Sequence, residues 1–414
     1  MSDTLSAALG LDASRALDPA RFAISGLVPR FALRPATRDE AAEALRVASR
    51  DGLSVVPWGG GVALPGEAAP ERYDLALDIG ALDRLVEYQP DDLTLTAECG
   101  ITIATLRAEL ARHGQELPLE AAHARRATLG GALAANACGP RRRRFGAARD
   151  RVLGARYLLG DGSSARSGGK VVKNVAGYGL HRLLCGSRGG LAVILEASLK
   201  LQPAPATRVA LVFALDRATL VDRARWSEFP RLEPSALTVP SGERAAAAGV
   251  AGRGGECVAI VALEDDAAWV AEQEIATTRA LGEPAVRIEG AEVGALLDRL
   301  ADLEETPGAR LSFTTADTSP AALGAVLDAA AGGPFVFHAS AGRLQLWPVE
   351  GHGPAIAASL ADSGFTLIDH RGSSAIEPAI PPQAAVASMR AGLRDAFDPG
   401  RRFAFGERWI DPGR

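Results

Sequence analysis

Three glycine-dense stretches carry the residues best suited to chemistry in this chain: 58–66 (WGGGVALPG), 128–150 (TLGGALAANACGPRRRRFGAARD) and 168–193. Glycine at this density lets a backbone come close to a partner that is not protein. In the first stretch, three consecutive glycines let successive N–H groups point into one concavity, a nest suited to phosphate. In the second, Thr128-Leu129-Gly130-Gly131 opens a helix, whose N-terminus offers free N–H groups and the positive end of the dipole. One such end contributes about 0.3–1 kcal/mol, whereas nanomolar binding needs about 12 kcal/mol. A tightly held ligand therefore requires several loops at once, and the three stretches are expected to converge on one phosphate-bearing cofactor.

Other chemistries lack their residues. The GxGxxG spacing is absent from 58–66, and GxxxxGK[ST] occurs nowhere, so the two commonest nucleotide-binding loops have no support. The four cysteines, Cys99, Cys138, Cys185 and Cys257, form no CxxC pair, which argues against both a zinc site and a disulfide framework. The six histidines show no metal-ligand spacing, so no metal site is expected and no catalytic residue can be assigned from spacing. A formal net charge of -5 argues against nucleic acid as a partner. The run Arg141 to Arg144 then reads as a face turned to carboxylates, to a neighbouring subunit or to solvent. The only three lysines, Lys170, Lys173 and Lys200, fall within 168–201, two of them flanking the segment 174–178.

The surrounding pattern supplies elements to hold these loops. Thr37, with Glu40 three residues on, has capping-box spacing and opens a helix over 38–51 that places Ala41, Ala44, Leu45 and Ala48 on one face. A buried strand over 53–57 leads directly into the glycine turn. Residues 74–79 and 92–98 alternate with the two-residue period of strands, and 152–159 and 192–201 read as further strands. Helices are expected over 102–113 and 127–137. Pro203 and Pro205 mark a boundary. Beyond it, strands over 209–215, 257–263, 335–339 and 343–348 alternate with alanine-rich helices over 267–281, 291–303 and 321–331, without glycine loops. A connector over 378–382 precedes a last helix over 384–397. The N-terminal residues carry acids and no sustained apolar run, so no secretory signal is expected, and no stretch is apolar and long enough to span a bilayer.

The runs VVPWGGGVALPG, ATLGGALAANACGPRRRRFGAARDRVLGARYLLGDG and GGKVVKNVAGYGLHRLLCGSRGGLAVILEASLKLQP resemble, in order and spacing over about residues 26–205, the PCMH-type FAD-binding flavoproteins of the vanillyl-alcohol oxidase group. Within that group they resemble the FAD-binding E subunits of bacterial glycolate oxidases. LRDAFDPGRR near the end resembles the closing helix and turn of the family, and FVFHASAGRLQLWP its AHAGxG strand, with His338 and Gly342 in pattern. The resemblance implies an α+β protein: a PCMH-type FAD-binding domain of two α/β subdomains followed by an α+β antiparallel cap domain. The implied layout is a lead over 1–25, the FAD-binding domain over 26–205, the cap or substrate domain over 206–380, and a C-terminal helix and tail over 381–414 that return to the FAD domain.

It further implies that Pro57, Gly59, Gly60, Gly61, Val62 and Ala63 hold the pyrophosphate. Thr128, Leu129, Gly130, Gly131, Asn136 and Gly139 would line the ribityl and isoalloxazine side, and Gly190, Ala192 and Val193 the adenine end or the flavin edge. Val62 stands where some relatives carry the histidine that attaches flavin covalently, so the FAD is expected to be non-covalent. Gly179, Gly190 and Ala192 replace an acid, a threonine and a glycine of relatives. The implied function is oxidation of glycolate or a related 2-hydroxy acid by hydride transfer to FAD, with electrons passed onward. The implied partners are a catalytic flavoprotein and iron–sulfur subunits of a glycolate oxidase-like complex, in the cytoplasm or peripheral to the inner membrane through those partners. Because the histidine-rich residues of the catalytic subunit are not recognisable, a non-catalytic flavin-binding structural or electron-relay subunit is the alternative.

Overall fold

The computed structural model describes residues 15–64, 70–170, 178–222, 232–250, 257–305, 308–316, 319–331, 333–371 and 384–406. The segment 171–177, with Lys173, lies outside these residues, as do the connector 378–382 and the first part of the N-terminal lead. The chain divides into two compact units. One comprises residues 1–137, 147–204 and 381–414; the other comprises 138–146 and 205–380.

In the first unit the strand Phe31–Leu33 is followed by the helix Arg38–Arg50. Thr37 caps it by accepting a hydrogen bond from the Glu40 N–H at 3.1 Å. The return bond of the capping box is shifted by one residue, because the Glu40 carboxylate accepts from the N–H of Ala36 rather than of Thr37. Ala41, Ala44, Leu45 and Ala48 are buried along one face. Strands on both sides of the helix in sequence form a parallel three-stranded sheet, with Leu75–Asp78 at its centre and Phe31–Leu33 and Val55–Trp58 on either side. The last stretch of chain returns here: Val55 donates to the Arg402 carbonyl at 2.7 Å and accepts from Ala404 at 3.0 Å. Asp398 holds that return in shape, its carboxylate accepting from the N–H groups of Arg402 and Phe403, both at 2.8 Å.

A five-stranded antiparallel sheet completes the unit, in the order Leu85–Gln89, Thr94–Glu98, Val193–Lys200, Val152–Leu158, Ser164–Gly168. Alternation over 92–98 suggests one solvated face, yet all five residues of Thr94–Glu98 are buried. The polar positions are satisfied internally. Thr96 pairs with Ser198 at 2.8 Å, and Glu98, 1% exposed, is held by Arg84 and Arg38.

The second unit is built on an eight-stranded antiparallel sheet. Its order is Val286–Glu289, Thr207–Leu215, Cys257–Asp265, Ala236–Pro240, Phe335–His338, Arg343–Leu346, Arg310–Thr314, Thr366–Arg371. Strict alternation sends Leu211 and Phe213 into one core and Ala210 and Val212 into another on the opposite face, where the helix Ala291–Asp302 packs with Val293, Leu296, Leu297 and Leu300. Four of the eight strands carry no sequence signal strong enough to be expected. In Ala236–Pro240 and Arg310–Thr314, Thr238, Arg310 and Ser312 interrupt the apolar run and are nonetheless buried.

The arginine run belongs to this second unit. Arg141, 8% exposed, reaches the fully buried Glu264 at 3.3 Å, and Arg208 reaches the same carboxylate oxygen at 3.0 Å. Arg144 pairs with Asp265 and lies over the rings of Phe145 and Trp269 at 5.5 and 5.2 Å. Arg343 donates to the Cys138 carbonyl at 3.0 Å, and Ser340 donates to the Pro140 carbonyl at 3.1 Å. The segment 138–146 is thus clamped by charge to the unit it joins. Replacing Glu264 with Gln leaves two arginines against a neutral amide, and breaking a buried pair in this way costs about 3 kcal/mol. Urea denaturation of Glu264→Gln is expected to show that loss in the second unit's transition. A loss below about 0.5 kcal/mol, the range of an ordinary surface substitution, would contradict the clamp.

Candidate functional site

The strand Val55–Trp58 ends at the first glycine loop, and backbone contacts of that loop with protein fix its course. A Cβ on Gly60 would lie 1.7 Å from the carbonyl oxygen of Arg126, and one on Gly59 would lie 2.3 Å from the Thr128 hydroxyl. Gly61 takes a left-handed φ of +63°, and a Cβ on it would lie 3.0 Å from the indole of Trp58, which in turn meets Phe22 edge-on at 5.1 Å. The Arg126 guanidinium donates to the Gly61 carbonyl at 3.3 Å. The glycines of this loop are therefore required by a close approach to the chain at 126–128, and not only by an approach to a ligand.

This clasp leaves one resource free. Among the described residues, the backbone N–H groups of Gly59, Gly60, Gly61 and Val62 have no hydrogen-bond acceptor. The loop is only half-buried, and the exposed Arg126 side chain lies against it. Successive N–H donors beside a guanidinium suit the oxygens of a diphosphate, so the residues present fit the phosphate portion of a dinucleotide.

At the second glycine stretch the structure differs from the expected free helix end. The helix Leu129–Ala134 is short, and its first N–H groups are already bonded. Leu129 donates to Ile101 and Gly130 to Cys99, both at 2.8 Å, and Gly131 donates to the Thr128 hydroxyl at 3.2 Å. The helix start is consumed in joining the helix to residues 99–101, and it offers no free donor to a phosphate. Leu129 is 0% exposed and belongs to the first unit's core, and Gly130 is packed on Cys99. Thr128 and Gly131 remain, with Thr128 closing the first loop and Gly131 exposed.

Five more expected positions are engaged in the protein's own packing or lie in the second unit. Ala192 and Val193, 1% and 0% exposed, lie in the first unit's core. Gly190 is backed by the chain at Phe405, whose carbonyl oxygen would stand 2.8 Å from an added Cβ. Its neighbour Gly189, φ +75°, is the residue that meets the ring of Pro57. Asn136 takes a φ of +49°, and its side-chain carbonyl accepts from the Arg149 N–H at 3.0 Å, a structural use of the amide. Gly139 lies in the segment 138–146 and so belongs to the second unit.

The structure thus brings together Pro57, Gly59, Gly60, Gly61, Val62, Ala63, Thr128 and Gly131. It adds Arg126 and Gly189, which sequence reasoning missed although ArgArg and GlyGly doublets sit next to the recognised motifs. Lys170 forms an ion pair with Glu87. His181 is held through Nδ1 by the Ser167 hydroxyl at 3.1 Å, and burial, with Arg182 beside it, pushes its pKa below the usual histidine value. Among the described residues no group of three or more His, Cys, Asp or Glu side chains could hold a metal ion, and no helix is long and apolar enough to cross a membrane.

Comparison with known proteins bears on this geometry. Residues 29–168 match the family model described as an FAD binding domain. Glycolate oxidase subunit GlcE of Escherichia coli is 44% identical over 136 residues, 33% of this chain and 39% of that protein. Glycolate oxidase subunit GlcD of Bacillus subtilis is 32% identical over 185 residues, 45% of this chain and 39% of that protein. D-lactate dehydrogenase of Archaeoglobus fulgidus is 35% identical over 171 residues, 41% of this chain and 38% of that protein. The chain therefore spans about two fifths of the length of these relatives. An alkyldihydroxyacetonephosphate synthase superposes with a TM-score of 0.65 at 17% identity, covering 91% of this chain and 76% of its own. A chitooligosaccharide oxidase superposes with a TM-score of 0.64 at 14% identity, covering 91% of both chains. At these identities the structural likeness establishes the overall fold alone, and it is residues 29–168 that match an FAD binding domain.

The clasp makes a sharp demand on residue 60. Gly60→Ala, a single methyl, is expected to displace the loop from Arg126 and weaken FAD binding by at least about tenfold, or 1.4 kcal/mol. Gly131→Ala, which meets only the Thr128 hydroxyl at 3.2 Å, is expected to bind nearly as wild type. Fluorescence titration of the flavin-free proteins with FAD checks both. Unaltered affinity in Gly60→Ala would contradict the assignment.

Proposed function

We propose, for a chain that carries a PCMH-type FAD-binding domain, that this protein is the flavin-binding subunit of an oxidoreductase acting on glycolate or a related 2-hydroxy acid. The observation that carries the reading is the row of four unbonded N–H groups at Gly59, Gly60, Gly61 and Val62, fixed by the contact of Gly60 with Arg126. These groups hold the FAD pyrophosphate, Arg126 neutralises part of its charge, and Pro57 with Gly189 closes the side of the loop. Val62 offers no nucleophile to the flavin ring, so the cofactor is held without a covalent bond. Bound flavin supplies the two-electron acceptor that a hydroxyl-to-carbonyl oxidation requires.

The substrate class rests on the relatives, named as glycolate oxidase subunits and a D-lactate dehydrogenase. The subunit names also support work within a complex, and we extend the proposal to onward transfer of electrons to a further flavoprotein and an iron–sulfur partner. A second reading, a flavin-binding subunit that relays electrons or supports assembly without its own substrate site, is favoured by His338. This histidine of the AHAGxG-like strand is 0% exposed, and its Nδ1 is within 2.9 Å of the Thr238 hydroxyl, so it is not presented to solvent.

Anaerobic addition of glycolate, and separately of D-lactate, to the purified flavin-loaded chain separates the two readings. Bleaching of the visible flavin band is expected with at least one of them. A bound flavin that neither acid reduces would leave the relay reading, and a chain that takes up no added FAD would contradict both. Acid precipitation is expected to release all flavin into the supernatant; flavin retained in the pellet would contradict the non-covalent assignment.

A further inference from the structure

In the second unit, two neighbouring side chains each bury a hydrogen-bond donor that has no acceptor. Arg244, on the helix Gly242–Ala247, is 8% exposed, and its guanidinium carbon lies 3.9 Å from the centre of the Trp347 ring. Trp347 is 6% exposed, and its indole N–H is buried with no acceptor. The Nε of Arg244 is likewise buried with no acceptor. No acidic side chain forms an ion pair with Arg244 among the described residues; its chain neighbour Glu243 is exposed and acts on it only through space.

This arrangement is physically unusual. Buried arginine is ordinarily paired, because stacking on an aromatic face returns only part of what the charge loses on leaving water. Burial does depress the Arg244 pKa below its usual value. Unsatisfied buried donors are also rare in folded proteins, and here two lie on neighbouring side chains. The site is braced from behind. Ser241, which precedes the helix, exchanges hydrogen bonds with Phe335, and the backbone of Trp347 donates to the Pro334 carbonyl at 3.0 Å. With one face of the guanidinium covered by indole, a ligand approaches along its edge, where its donors lie in a planar fork matched to paired oxygens.

We propose that Arg244 and Trp347 form a binding site for a small-molecule oxyanion, a carboxylate or a phosphate, separate from the flavin-binding loops and independent of them. The indole N–H signals of the flavin-loaded chain, labelled with 15N-tryptophan, report on it directly, with Trp347 identified through Trp347→Phe. Titration with inorganic phosphate, and separately with acetate, is expected to move the Trp347 signal saturably with at least one of them, while chloride at matched ionic strength does not. Whichever anion acts names the ligand class. The response is expected to vanish in Arg244→Met and to weaken at least about tenfold in Arg244→Lys, which keeps the charge and loses the fork. A Trp347 signal that neither anion moves would mean that water satisfies these donors, and the proposal fails. A response equal to that of chloride, or one unchanged in Arg244→Met, overturns it as well. The wild-type comparison with chloride decides the matter even where a variant does not fold.

Discussion

The architecture of the candidate site depends on one close approach, that of Gly60 to the carbonyl of Arg126. No side chain fits there, since even a methyl would fall 1.7 Å from the oxygen. The contact ties the end of a parallel strand to the segment that leads into the helix Leu129–Ala134, and so joins two separate parts of the first unit. What remains exposed follows from this. The helix spends its first N–H groups on Ile101 and Cys99, whereas the loop from Gly59 to Val62 keeps its own. Donors with no internal acceptor are a property that a diphosphate can use, and donors already bonded are not. The returning C-terminal stretch supports the same loop from its base by bonding to Val55 on both sides.

The second unit rests on a different device. Its eight-stranded sheet has apolar cores on both faces, so most of its residues are fixed by burial alone. The segment 138–146 has little apolar surface to contribute, and it is held by charge. Arg141 and Arg208 converge on Glu264, and Arg144 takes Asp265. Buried ion pairs of this kind define which partner is correct more than they add stability, since desolvation offsets much of their attraction. Arg244 departs from this pattern as an arginine without an acid, which is why it reads as a place for a ligand.

Local signals in the sequence were legible where the physics is local. Thr37, Thr102 and Asp266 each cap the helix that the pattern places after them, and the helices near 38–51, 267–281 and 384–397 follow from periodicity and stop signals. The glycine motif at 59–61 falls on the loop whose N–H groups are unbonded, although the close approach there is to protein. The motif at 128–131 was read as a free helix end because its acceptors, on Cys99 and Ile101, lie outside the motif. Ala192 and Val193 come to the site through the family resemblance, yet both are buried in the core where the strand Val193–Lys200 begins. The strands Ala236–Pro240 and Arg310–Thr314 escaped because their buried polar residues break the apolar pattern. The role of the arginine run was out of reach for another reason: Glu264 lies 123 residues from Arg141, and nothing local names it.

Hydrogen–deuterium exchange of the flavin-free chain, with and without added FAD, tests the central assignment most directly. If the N–H groups of Gly59, Gly60, Gly61 and Val62 receive the pyrophosphate, peptides covering 58–63 gain protection when FAD binds. Peptides covering 129–131, whose N–H groups are already bonded, change little. Protection that appears at 129–131 while 58–63 exchanges as before would contradict the account.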